Sequence, residues 1–149
     1  EGRTAAGDVQ VMSAGTGVVH SEFNQEDEDT TLFQIWVETD DRGANPGWGA
    51  MPFPKDQRDG RFQLLASGDP DDGALTIHAD ARVLGASVKA GGSIEVETDP
   101  DRHLYMVPSG RVRINGKAGG PRDGIAIRGE ERLRIEAEED AELVLVDAA

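Results

Sequence analysis

The stretch "RLRIEAEEDAELVLVD" (132–147) decides how the rest of the chain is read. Apolar and charged residues alternate up to the acidic triplet "EED" at 138–140 and a short apolar run follows it at 143–146, and a period of two or a short apolar run belongs to strands, not helices. Two strands about an acidic turn, at 132–136 and 142–146, are the expectation. Working outward, alternating or short apolar runs recur at 8–12, 32–38, 61–66, 93–97, 104–107, 111–115 and 124–128. The breaks between them carry turn chemistry: "NPG" at 45–47, "GDPDDG" at 68–73, "KAGG" at 89–92, "DPD" at 99–101 and "NGKAGGP" at 115–121. The Asn-Gly pair within "RVRINGKA" (111–118) favours a type I′ hairpin. Many short strands at such intervals predict an all-β sandwich or barrel. A helix enters only as a minor expectation at 79–84.

One segment breaks the pattern. "DDRGANPGWGAMPFPKDQRDG" (40–60) is rich in Gly, Pro and charge and follows neither period, so it reads as a linker. Trp48, Met51 and Phe53 on it predict a linker that packs down, with a boundary near residue 57. The division expected is therefore 1–57 and 58–149.

Composition narrows the chemistry. The 149 residues are 37% hydrophobic and 30% charged, as in a folded globular chain, and nothing approaches the roughly 20 apolar residues that span a bilayer. Residues 1–8 do not read as a signal peptide, so the default compartment is the cytoplasm. With no cysteine, disulfides, zinc-thiolate sites and cysteine nucleophiles are excluded. The net charge of −14, with Arg outnumbering Lys twelve to three, argues against nucleic acid and anionic membranes as partners. The acidic run "NQEDED" (24–29) reads as a solvated loop between strands.

Any metal must then be held by His, Asp, Glu, carbonyls or water. In "GTGVVHSEFN" (15–24), His20 and Glu22 stand one residue apart, and on an extended segment such residues share a face. Imidazole beside carboxylate is a mixed N/O donor pair suited to Fe(II), Mn, Ni, Cu or Zn.

The surrounding residues carry more. "GDVQVMSAGTGVVHSEFN" (7–24) resembles the second cupin motif: Gly7, Gly15, His20 and Asn24 fill its places, Ser13 stands where the motif has Pro, and four residues instead of two separate Gly15 from His20. That spacing and Glu22 are similar to the pirin family of two-cupin proteins. "LFQIWVETDDRG" (32–43) and "RFQLLASGD" (61–69) resemble the bacterial pirin-like proteins tied to quercetin dioxygenase activity. The tail "GKAGGPRDGIAIRGEERLRIEAEEDAELVLVD" (116–147) resembles the family's second cupin.

The resemblance implies cupin β-barrels (double-stranded β-helix, jelly-roll), with 58–149 as the complete C-terminal barrel and 1–57 as the remnant of the N-terminal barrel and its linker. It implies one metal in the first barrel on three His and one Glu, with His20 and Glu22 as the last two ligands. The first two belong to a His-x-His motif some forty residues earlier, and the sequence starts at Glu1, after that motif. The chain is therefore expected to hold such a metal poorly or not at all.

A second place invites comparison. Gly91, Glu97, Asp99, His103 and Gly110 fall at the spacing of the first cupin motif, with acids in the histidine places and a histidine in the acid place. The fourth-ligand position falls near Ile135, and "ETDPDRH" (97–103) is itself a good solvated turn, so an acidic loop is expected. His78, between apolar and small residues, reads as a structural or surface histidine.

Two functional classes follow from the resemblance. In one, the parent protein is a metal-dependent dioxygenase of a flavonol-like aromatic, with His20 and Glu22 as ligands and Glu22 also as the catalytic base that accepts the substrate's hydroxyl proton; Met12, Phe23 and Trp36 would line the barrel. In the other, the architecture serves as a non-catalytic metal-sensing or protein-interaction module. Unpaired edges at 8–12 and 32–38 predict a homodimer through residues 1–40.

Overall fold

The alternation at the C-terminus is realised as burial. In the computed structural model, which describes residues 2–149, Leu133 and Ile135 are fully enclosed while Arg132 and Arg134, which alternate with them, face solvent. The strands in chain order are β1 (Val9–Ser13), β2 (Gly47–Met51), β3 (Gln63–Ser67), β4 (Leu75–Thr76), β5 (Ala81–Val88), β6 (Ser93–Glu97), β7 (His103–Pro108), β8 (Val112–Ile114), β9 (Lys117–Gly119), β10 (Ile125–Ile127), β11 (Arg132–Ala137) and β12 (Ala141–Ala148). They form a six-stranded sheet ordered β10-β7-β12-β5-β3-β4, a four-stranded sheet ordered β6-β11-β8-β9, and a separate ribbon of β1 and β2. Every ladder is antiparallel except β3 with β4.

The larger sheets face each other across one apolar core. Ile94, Val112, Ile114, Leu133 and Ile135 come from the four-stranded sheet; Ala86, Leu104, Met106, Leu143 and Leu145 come from the six-stranded one. On β12, Val144 and Val146 point the opposite way, and with Val83, Leu65 and Leu75 they form a second cluster on the outer face of that sheet. The ribbon covers this cluster with Val9, Val11 and Met51. Phe53, just beyond β2, is only 4% exposed within it.

The acidic turn at 138–140 does not close a hairpin. β11 pairs with β6 and β8, whereas β12 pairs with β5 and β7, so the turn carries the chain from one sheet to the other. Asp140 anchors it: Oδ1 accepts from the Ala90 N–H and Oδ2 from Lys89 Nζ, both at 2.9 Å. The Ala90 amide first, and Lys89 second, hold its carboxyl below the usual carboxylate range. The hairpin at 115–116 does form, joining β8 to β9 with Asn115 at φ 47° and Gly116 at φ 79°, the left-handed pair a type I′ turn requires.

Three expectations are corrected. Residues 79–84 are not helical; from Ala81 they enter β5, which is ladder-bonded on both sides, so tertiary pairing overrides a local pattern that could suit either state. Residues 32–38 form no strand: Leu32, Phe33 and Trp36 are exposed and no neighbouring strand accepts their backbone groups. Within the expected linker, 47–51 forms β2, because β1 supplies the pairing that "GWGAM" does not advertise.

Candidate metal centre on the two-stranded ribbon

The ribbon has two faces because β1 reads Val-Gln-Val-Met. Val9 and Val11 turn toward the six-stranded sheet, so Gln10 and Met12 turn away from it, as does Trp48, directly opposite Met12 in the ladder. His20 and Glu22 lie over this outward face. His20 Nδ1 is 2.8 Å from Met12 Sδ, and Glu22 Oε1 accepts a hydrogen bond from Gln10 Nε2. Both are exposed and follow β1 through a loop in which Gly15 has φ 49°. A Cβ on Gly15 would stand 2.3 Å from the Ala44 carbonyl oxygen, so the close approach of 15 to 44–46 requires glycine there.

The geometry bears on metal chemistry in two ways. With Nδ1–H turned to the Met12 sulfur, His20 has its Nε2 lone pair free for a cation; with Oε1 engaged by Gln10, Glu22 has Oε2 free. The pair thus fits a transition metal in kind, one nitrogen and one oxygen donor, but not in number. Among the described residues, no three His, Asp or Glu side chains converge to hold a metal ion.

The other sequence candidates are dispersed. Glu97 is paired with Arg132, Asp99 Oδ1 accepts from the Asp101 N–H at 2.9 Å in a local turn, and His103 begins β7, while Ile135 is buried in the core; no site assembles at 97–103. His78 is exposed, and its carbonyl accepts from the Thr39 hydroxyl and the Asp40 amide, each at 2.9 Å, which pins the end of the 14–40 segment to the sheet edge. Phe23 and Trp36 are 81% and 89% exposed and line no barrel interior. In the acidic run, Asn24 closes a local turn, with Nδ2 donating to the Glu28 carbonyl at 2.7 Å and Oδ1 accepting from the Glu26 N–H; the run is exposed, with Glu26 paired to Arg3 at 2.6 Å.

A groove elsewhere is lined by Asp40, His78, Asp80, Arg82, Arg102 and Asp147 among others, and His20 and Glu22 are not part of it. The Arg102 guanidinium within it is satisfied internally. Arg102 bonds Asp147 through Nε and Asp80 Oδ1 through Nη1 at 2.8 Å, and the Asp147 hydrogen bond is the main reason it holds its proton more firmly than usual.

Comparison with known proteins bears on the same residues. Residues 64–148 match the quercetinase C-terminal cupin domain, and 1–37 match the pirin model. The chain belongs to the pirin family. It is 54% identical to a pirin-like protein of Caulobacter vibrioides over all of its length and 65% of that protein, and 37% identical to the quercetin 2,3-dioxygenase of Escherichia coli K12, covering 95% of this chain and 61% of that one. The nickel(II) complex of the Escherichia coli pirin YhhW superposes with a TM-score of 0.83 at 30% identity, over 97% of this chain and 62% of that one. This pirin chain thus spans a little under two thirds of the length of the curated relatives it matches. Its fold is all-β, as the strand pattern predicted, and is the cupin fold that the resemblance implied. Among the described residues, no helix is long and apolar enough to cross a membrane.

Gln10, Met12 and Trp48 escaped the sequence reading as partners of His20 and Glu22. The alternation of 8–12 does place Gln10 and Met12 on one face, but nothing local indicates that 20–22 folds back over it.

Proposed function

We propose that this chain carries part of the metal site of a pirin-type flavonol 2,3-dioxygenase, acting in the cytoplasm, with His20 and Glu22 as ligands to a divalent Fe, Ni, Mn, Cu or Zn ion. One observation supports the reading most: the imidazole and the carboxylate are set over neighbouring positions of one strand face, each with an atom left free. A bound redox metal would supply the activation of O2 and of the substrate's enol oxygen. The chain's own residues bind it through His20 and Glu22, and Glu22 stands as the base for the flavonol hydroxyl proton. We take 1–57 as belonging to the first cupin and its linker and 58–149 as the second cupin, a division supported by the two family matches falling on either side of residue 57. With two protein donors the chain alone is inactive as a dioxygenase.

The test is the absorption spectrum of quercetin. A band shift on addition of the Ni(II)-loaded chain, absent with the Glu22→Ala chain at the same metal concentration, is the expected result; an equal shift with both would remove Glu22 from the site.

A second reading, a non-catalytic interaction module, is favoured by the exposed apolar side chains of Val19, Phe23 and Trp36, at 100%, 81% and 89% exposure. It predicts a homodimer through residues 1–40, of which Glu1 lies outside the described residues. Light scattering on the purified chain should return twice the 15.9 kDa chain mass, and a monomer would reject it.

A further inference from the structure

The outward face of the ribbon contains a chain of hydrogen bonds ending at Glu22. Gln10 Oε1 accepts from Thr4 Oγ1 at 3.2 Å and from Trp48 Nε1 at 3.4 Å, while Gln10 Nε2 donates to Glu22 Oε1. An indole N–H only donates, so Trp48 fixes which end of the amide it meets, and that leaves the NH2 end for the carboxylate. Trp48, 54% exposed, stands opposite Met12 in the ladder, and its ring lies against Gly2, where a Cβ would come within 2.7 Å.

We propose that Gln10 is a positioning residue for Glu22. Held by Trp48 and Thr4, its amide takes up one carboxylate oxygen and presents the other to a cation beside His20. The inference rests on the reading of Glu22 as a metal ligand and adds to it the group that orients the ligand. Side chains that hydrogen-bond a ligand in this way typically alter metal affinity by about 10- to 100-fold when removed.

The experiment is a Co(II) titration of the full chain, followed by the paramagnetic shifts of the His20 ring protons. It is run on the native sequence, Gln10→Ala, Glu22→Ala and the double variant. Gln10→Ala is expected to weaken Co(II) binding about tenfold, and to change it less than about twofold when Glu22 is already Ala, since its effect passes through Glu22. Equal losses in both backgrounds, or no loss in the first, overturn the role of Gln10 while leaving the ligands in place. No Co(II) binding by the native chain at millimolar metal, or an affinity untouched by Glu22→Ala, overturns the ligand reading and the inference together. Should Gln10→Ala not fold, Trp48→Phe keeps an aromatic side chain and deletes the N–H; weaker binding supports the inference, by less than the loss expected for Gln10→Ala, and unchanged binding rejects it.

Discussion

His20→Ala is expected to abolish measurable transition-metal binding by this chain. A complete structural zinc site is worth about 10–16 kcal/mol; two of its donors on an exposed loop supply about 5, a dissociation constant on the order of 0.1 mM. Deleting the imidazole leaves a single carboxylate, and affinity should fall to the order of 10 mM or weaker, a loss of about 100-fold. Calorimetric titration with Ni(II), together with metal content by mass spectrometry after equilibration at millimolar Ni(II), reads this directly. His78→Ala and His103→Ala are the controls, because neither histidine lies over the ribbon, and both should bind as the native chain does. If His20→Ala also binds like the native chain, the metal centre is elsewhere.

Leu133→Ala should cost about 3 kcal/mol of stability. Leu133 has no solvent exposure and sits in the core shared by the two large sheets, so truncation loses its transfer free energy and leaves a cavity that a close-packed sandwich fills poorly. For a chain of this size that corresponds to a fall in Tm of about 6–12 °C. Arg134→Ala, one residue along the same strand but on the outer face, removes exposed pairings with Glu95 and Glu136 and should cost less than about 1 kcal/mol. Urea unfolding of the two variants side by side makes the comparison, and equal costs would contradict the assigned inward and outward faces.

The candidate site was legible in part. His20 and Glu22 can be found from donor chemistry and motif spacing, because both signals are local. Gln10 and Trp48 cannot, since one reaches Glu22 across a loop and the other lies 38 residues from Gln10 in a segment with no strand pattern. Likewise, "GWGAM" is a strand only because β1 is beside it, and 32–38, with a better strand pattern, is none because nothing pairs with it.

The sequence by itself determined which side chains of β11 face inward, where the 115–116 turn falls, and that the architecture is all-β. A two-residue period and an Asn-Gly pair act through neighbouring residues alone, so those features are readable without the fold. Which sheet each strand joins was decided only by tertiary structure. β11 and β12 flank the same "EED" turn, yet they lie in opposite sheets: their inward side chains are buried where the sheets meet across the core, and Asp140 ties the turn to Ala90 and Lys89. Alternation specifies a face that must be covered, and the partner that covers it is chosen by the rest of the chain.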